Sequence, residues 1–137
     1  MSVDLFSPAG LAQNVPYHHV AVTTGRRHIH VAGQVGGAIA GTDPEAGELA
    51  AQVAGALRNV AVALGGANAT FADVVQLRFY VTRWNESKMA EFLAGIESVR
   101  EELDIPAPMP PASLIGVDTL YEPGVLVEVE ATASTDW

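Results

Sequence analysis

Glu128 and Glu130 near one end of the chain, and His28 and His30 near the other, are the side chains whose types and spacing could do chemistry. Residues two apart on a strand project to the same face. A glutamate held there can take a proton from water and return it to a leaving group, and Glu128, flanked by apolar strand neighbours, is the better candidate. The competing reading of the pair is an ordinary charged, solvated strand face. His28 and His30 form a His-x-His that could turn two imidazoles toward a divalent metal with a glutamate nearby. Spacing fixes no third ligand, so no metal and no cofactor are expected. The rings of His18 and His19 point to opposite faces, so at most one of them joins that set. Arg78 could form a cross-strand ion pair with Glu128 or Glu130.

Covalent catalysis finds no support. The chain has no cysteine, which excludes thiol nucleophiles, thiolate zinc sites and disulfides. There is no Gly-x-Ser-x-Gly elbow and no phosphate-binding Gly-x-x-x-x-Gly-Lys-Ser/Thr loop. The one lysine, Lys88, falls on the exposed side of a helix, a poor place for a desolvated Schiff-base amine.

Seven basic residues against sixteen acidic ones give 137 residues a net charge of −9, and the basic residues form no run, so nucleic acid is not an expected partner. No apolar stretch approaches the roughly 18 residues of a membrane span, and no basic leader precedes an apolar segment at the start, which makes the cytoplasm the expected location. With 49 % apolar and 17 % charged residues the chain can bury a sizeable core, and residues 1–137 are read as one domain.

The elements that must position these residues follow from periodicity. Tyr17 to Thr24 and His28 to Val35 are rich in β-formers and read as a hairpin about Gly25-Arg26-Arg27. A loop follows over Gly36 to Gly41. From about Ala46, residues Leu49, Val53, Leu57, Val60, Ala61 and Leu64 form one helical stripe closed by Gly65-Gly66. Val74 to Thr82 alternates as a strand, and Glu86 to Leu103 repeats apolar residues at helical spacing. Ile105 to Pro111 contains Pro106, Pro108, Pro110 and Pro111 and is an extended loop. Strands Ala112 to Asp118 and Val125 to Ser134 complete a β-β-α-β-α-β-β order: an α+β fold with two helices on one face of a sheet.

Strand parity then sorts the side chains. Ile29, Val31, Val35, Val75, Leu77, Phe79, Val81, Ile115, Val117, Val125, Val127, Val129 and Ala131 should meet the helices. The opposite face should carry His28, His30, Gln34, Gln76, Arg78, Tyr80, Ala112, Leu114, Gly116, Leu126, Glu128 and Glu130. Such a polar face is either solvated, as in many antiparallel sheets, or partly buried against copies of the chain.

Several short motifs, taken in order, resemble one family. Pro16-Tyr17 opens the first strand, Val31-Ala32-Gly33-Gln34 ends the second, and the Asn59 helix runs into Gly65-Gly66. Asp73-Val74-Val75 follows, and then the proline-rich loop, Ile115-Gly116-Val117 and Val127-Glu128-Val129-Glu130-Ala131. From about Tyr17 to Ala133 the chain is similar to the Rid family of reactive-intermediate deaminases, also called YjgF or L-PSP. The resemblance implies a chorismate-mutase-like fold, a mixed sheet, and a homotrimer with clefts between subunits around a central barrel. It implies hydrolysis of enamine or imine intermediates, such as 2-aminoacrylate, to 2-keto acids and ammonia.

In active members an arginine after the proline loop grips the substrate carboxylate, a glutamate on the last strand works with a water, and a tyrosine and a small hydroxyl residue line the cleft. The tyrosine falls on Tyr17 and the glutamate on Glu128. The arginine falls on Ala112, the serine before Gly33-Gln34 on Ala32, and an asparagine of the second helix near Glu91. Loss of one charge-assisted hydrogen bond, about 1.5–3 kcal/mol, weakens carboxylate binding by roughly ten- to a hundredfold. The expectation is therefore an intersubunit cleft with Glu128 catalytic and Tyr17, Gly33, Gln34, Ala112 and Leu114 lining it, made for a neutral or weakly polar nitrogen metabolite. A non-catalytic ligand sensor or interaction module using the same cleft is the alternative. The ribonuclease activity associated with some relatives fits poorly with the charge of −9.

Overall fold

The alternation of Val127, Val129, Ala131 and Ala133 with Glu128, Glu130 and Thr132 makes one strand the centre of the structure. The computed structural model describes residues 3–36 and 48–137. Within them the elements are β1 (Val3–Phe6), β2 (Val20–Thr23), β3 (Arg27–Gln34), α1 (Glu48–Gly66), β4 (Val74–Thr82), α2 (Met89–Leu103), β5 (Ala112–Val117) and β6 (Val127–Thr135). The main sheet has the order β3-β6-β4-β5, with β6 antiparallel to both neighbours and β4 parallel to β5. Strands β1 and β2 form a separate antiparallel ribbon. The chain is thus α+β, two helices against a mixed sheet.

Both helices cover the same face. Val53, Leu57, Val60 and Leu64 of α1 and Phe92, Ile96 and Val99 of α2 are buried against Leu77, Phe79 and Val81 of β4 and Val127, Val129 and Ala131 of β6. The rings of Phe79 and Phe92 meet edge to face at 5.0 Å. A β-carbon on Gly95 would lie 2.7 Å from the Ala50 carbonyl oxygen, so a glycine is needed where α2 crosses α1. By length and composition α1 could cross a membrane, but its stripe is buried in protein, as expected of a core helix.

The hairpin expected about Gly25-Arg26-Arg27 does not form. β2 pairs with the unanticipated β1, and β3 joins β6. At the crossing between the two sheets a β-carbon on Gly25 would sit 2.9 Å from the Thr135 carbonyl oxygen, so Gly25 serves a close backbone passage and not a hairpin turn. The loop expected over Gly36 to Gly41 and the helix start near Ala46 lie largely outside the described residues. At the end of β3, Asn59 of α1 donates to the Val35 carbonyl at 2.8 Å.

One buried polar side chain ties α1 to the segment entering β6. Gln52, 1 % exposed, donates to the Gly124 carbonyl and accepts from the Leu126 amide, each at 2.8 Å. Gln52→Leu orphans both backbone groups, at about 1–3 kcal/mol for each buried group left unsatisfied. Urea denaturation should show a lower midpoint with an unchanged slope, and an unchanged midpoint would contradict this role.

Candidate functional site

The registers of the main sheet decide which polar residues share a row. Tyr80 of β4 is level with Glu128 of β6 and with Ile115 of β5. Arg78 is level with Glu130 and Ser113, and Gln76 with Thr132 and, across β6, His30. This face, away from the helices, therefore carries a carboxylate, a phenol and an aliphatic side chain in one row, and a carboxylate, a guanidinium and a hydroxyl in the next.

At β3 the row is closed by an irregularity. Between the pairs Val31–Ala131 and Gln34–Val129, β3 advances three residues while β6 advances two. Ala32 and Gly33 thus share the position opposite Glu130, the pattern of a β-bulge. A β-carbon on Gly33 would overlap the Glu128 carboxylate and lie 2.5 Å from its Cδ, so the glutamate side chain occupies the space that a side chain at position 33 would take. The structure brings Gly33 and Glu128 together.

The two glutamates differ in their surroundings. The Tyr80 hydroxyl donates to Glu130 Oε1 at 2.5 Å. Glu128 has no hydrogen-bond partner among the described residues and is half-buried. The bond to Glu130 is also the main reason the Tyr80 phenol is held above its ordinary value of 10.0; desolvation and the negative charges of Glu130 and Glu128 act in the same direction, and Arg78 opposes them. Tyr80 therefore remains a donor where an isolated phenol would begin to ionise. The cross-strand ion pair of Arg78 is not formed, because its guanidinium donates to Gln76 Oε1 at 3.0 Å.

Expected placements change on three strands. Ala112 and Leu114 are level with the core residues Leu77 and Phe79, so they face the helices and pack against the core, while Ser113, Ile115 and Val117 take the polar face. Both parities of β5 carry apolar residues, and the parallel register, anchored where the Leu77 amide donates to the Pro111 carbonyl at 2.9 Å, selects between them. The bulge likewise sets Gln34 level with the buried Val129, away from the row of His28 and His30, and its side-chain amide donates back to the Ala32 carbonyl. A register shift at the start of β4 buries Val74 in place of Val75. Ser113, Ile115 and Val117 are the residues of this face that parity missed.

Tyr17 lies elsewhere in the chain. It bridges to Met109, with the His18 amide donating to the Met109 carbonyl and the Met109 amide to the Pro16 carbonyl, and its ring meets that of His19 edge to face at 5.3 Å. Met109 precedes β5, whereas Glu128 is level with Ile115, about 10 Å along that strand from Ala112. The remaining candidates have local roles. Glu91 accepts from the Ala50 amide in the first turn of α1, and the Lys88 ammonium donates to the carbonyls of Thr82 and Arg83. Among the described residues no three His, Asp or Glu side chains gather as a metal site would require.

A four-stranded mixed sheet backed by two helices, with carboxylates and a phenol on the open face, defines a class of small α+β proteins. The Endoribonuclease L-PSP family model matches residues 8–135, and the chain belongs to this family, which includes the YjgF and Rid proteins. The Rid-family protein YyfB from Yersinia pestis is 34 % identical, with 98 % of this chain and 99 % of that one covered and a TM-score of 0.81. Rv2704 from Mycobacterium tuberculosis, of the YjgF/YER057c/UK114 family, is 32 % identical over 98 % of this chain and 100 % of its own, with a TM-score of 0.60. The E. coli YjgF protein, 22 % identical over 95 % of this chain and 92 % of its own, shares the fold at a TM-score of 0.61. No curated protein matches the chain.

The raised phenol of Tyr80 gives a test of the site's electrostatics. A pKa higher in the folded than in the unfolded state contributes stability that is complete below the unfolded value and is lost as pH rises through the folded one. Ultraviolet titration should show a tyrosine ionising later than an ordinary phenol and missing from Tyr80→Phe. Wild-type stability should fall more steeply than that of Tyr80→Phe above about pH 10. Identical alkaline titrations would remove the Tyr80–Glu130 bond from the folded protein.

Proposed function

We propose that the chain is a Rid-type enzyme that hydrolyses a small enamine or imine, with Glu128 handling the proton of the attacking water. The observation that carries this reading is the half-buried Glu128 carboxylate, without a hydrogen-bond partner among the described residues and seated against Gly33, beside a Glu130 already occupied by Tyr80. In the imine tautomer the water oxygen bonds to the C=N carbon while Glu128 takes a proton from the water and passes it to the nitrogen. The resulting carbinolamine collapses to a carbonyl and ammonia as Glu128 takes the hydroxyl proton and delivers it to the leaving nitrogen. The sum is substrate plus water giving ketone plus ammonia.

The separation of Tyr17 from Glu128 within one chain favours a cleft assembled from two copies, in a homotrimer that covers the polar sheet face. On the same sheet face, across β4 from the two glutamates, β5 presents Ser113 and Ile115, and the guanidinium of Arg78 is engaged by Gln76. With Ala112 on the helix face in place of the family's arginine, these side chains favour a neutral or weakly polar ligand over an amino-acid-derived acid. A charge of −9 disfavours an RNA substrate despite the family's description.

The test generates 2-aminoacrylate with a dehydratase and follows ammonia release. Because no arginine grips its carboxylate, 2-aminoacrylate should be bound roughly ten- to a hundredfold more weakly than by an arginine-bearing relative, but release should still be accelerated, and Glu128→Gln should lower kcat on the order of a hundredfold. Acceleration unchanged by Glu128→Gln would remove Glu128 from the reaction. Saturable binding of a small enamine analogue without turnover would replace hydrolysis by the sensor reading.

A further inference from the structure

Among the described glycines, what an added side chain would strike sets Gly33 apart from Gly36, Gly55 and Gly95. At Gly36, Gly55 and Gly95 an added β-carbon meets backbone: the Ala56 amide, the Gly36 carbonyl carbon and oxygen, and the Ala50 carbonyl oxygen. Backbone in packed elements cannot step aside, so these positions hold the fold together. At Gly33 the three nearest atoms all belong to one side chain, the Cγ, Cδ and Oε2 of Glu128. A glutamate side chain can rotate away.

Backbone conformation does not call for glycine at position 33 either. Among the described glycines, positive φ occurs at Gly10 and Gly124 and not at Gly33. Where φ is not positive, alanine escapes the left-handed penalty and reduces the freedom of the unfolded chain. Glycine here is therefore unfavourable for the strand itself, and its visible consequence is the space it leaves for a carboxylate.

We infer that Gly33 is a positioning residue for Glu128: the bulge of β3 and the missing side chain together form a slot that fixes where the carboxylate points. The bulge brings position 33 against Glu128, and the glycine leaves room for it. Filling the slot turns the carboxylate off its site while leaving the fold intact. The inference rests on Glu128 being the functional group, but the slot itself can be tested separately.

Gly33→Ala, Gly36→Ala and Glu128→Ala, with the Gly33→Ala/Glu128→Ala pair, form the test. Gly33→Ala should melt within a few degrees of wild type, whereas Gly36→Ala should be strongly destabilised. In the Glu128→Ala background Gly33→Ala should be neutral or stabilising, because the obstructed group is gone. Crystal structures should show the Glu128 carboxylate displaced in Gly33→Ala, and kcat for 2-aminoacrylate hydrolysis should fall by up to about a hundredfold, as a misplacement near 1 Å can cause. A carboxylate left in place in Gly33→Ala, or equal destabilisation by Gly33→Ala with and without Glu128, would overturn the inference. If wild type does not turn over 2-aminoacrylate, the hydrolysis reading fails on that substrate, and the carboxylate position and stability comparison still decide the role of Gly33.

Discussion

The two-residue alternation of β6 is the constraint on which the rest depends. Val127, Val129, Ala131 and Ala133 are buried under the helices, so Glu128, Glu130 and Thr132 must stand on the other side. Because β6 is bonded on both edges, its register fixes where β3 and β4 can place their own side chains. A slip of one residue would bury two carboxylates in the core and expose the valines, a cost no other contact in the fold could offset. The polar row at Glu128 is thus a direct product of how the hydrophobic core is packed.

Much of this was legible in the sequence because long, strongly periodic segments leave little choice. β4 spans Val74 to Thr82 as the alternation indicates, and the segment Glu86 to Leu103 is a short 3₁₀ turn followed by α2. Legibility fails where pattern does not decide between alternatives. β5 is an edge strand with apolar residues on both parities, so only its pairing with β4 reveals that Ala112 and Leu114 face the core. The bulge at Ala32-Gly33 adds one residue that no alternation rule announces, and it moves Gln34 to the other face. β1 is four residues long and pairs only with β2, too short a signal to separate from a loop.

The family motifs are a sequence signature whose physical content becomes clear only in three dimensions. Gly33 is a slot for the Glu128 side chain, Asn59 fastens the end of β3 to α1, and Gly116 admits Trp84, whose Cβ a side chain there would approach to 3.1 Å. Tyr80 and Glu130, by contrast, hold each other, which divides the glutamate pair into one engaged carboxylate and one available. Family membership supports a small-molecule or deaminase-like role in general terms. Ala112, turned toward the helices, adds no polar group to the Glu128 row.

Two helices can blanket only one side of a four-stranded sheet, and in the proposed homotrimer copies of the chain cover the other. Sedimentation equilibrium at micromolar concentration tests this most directly. The expected result is a particle of three times the 14.3 kDa chain mass. A single 14.3 kDa species would leave the Glu128 row open to solvent and contradict the proposed intersubunit cleft.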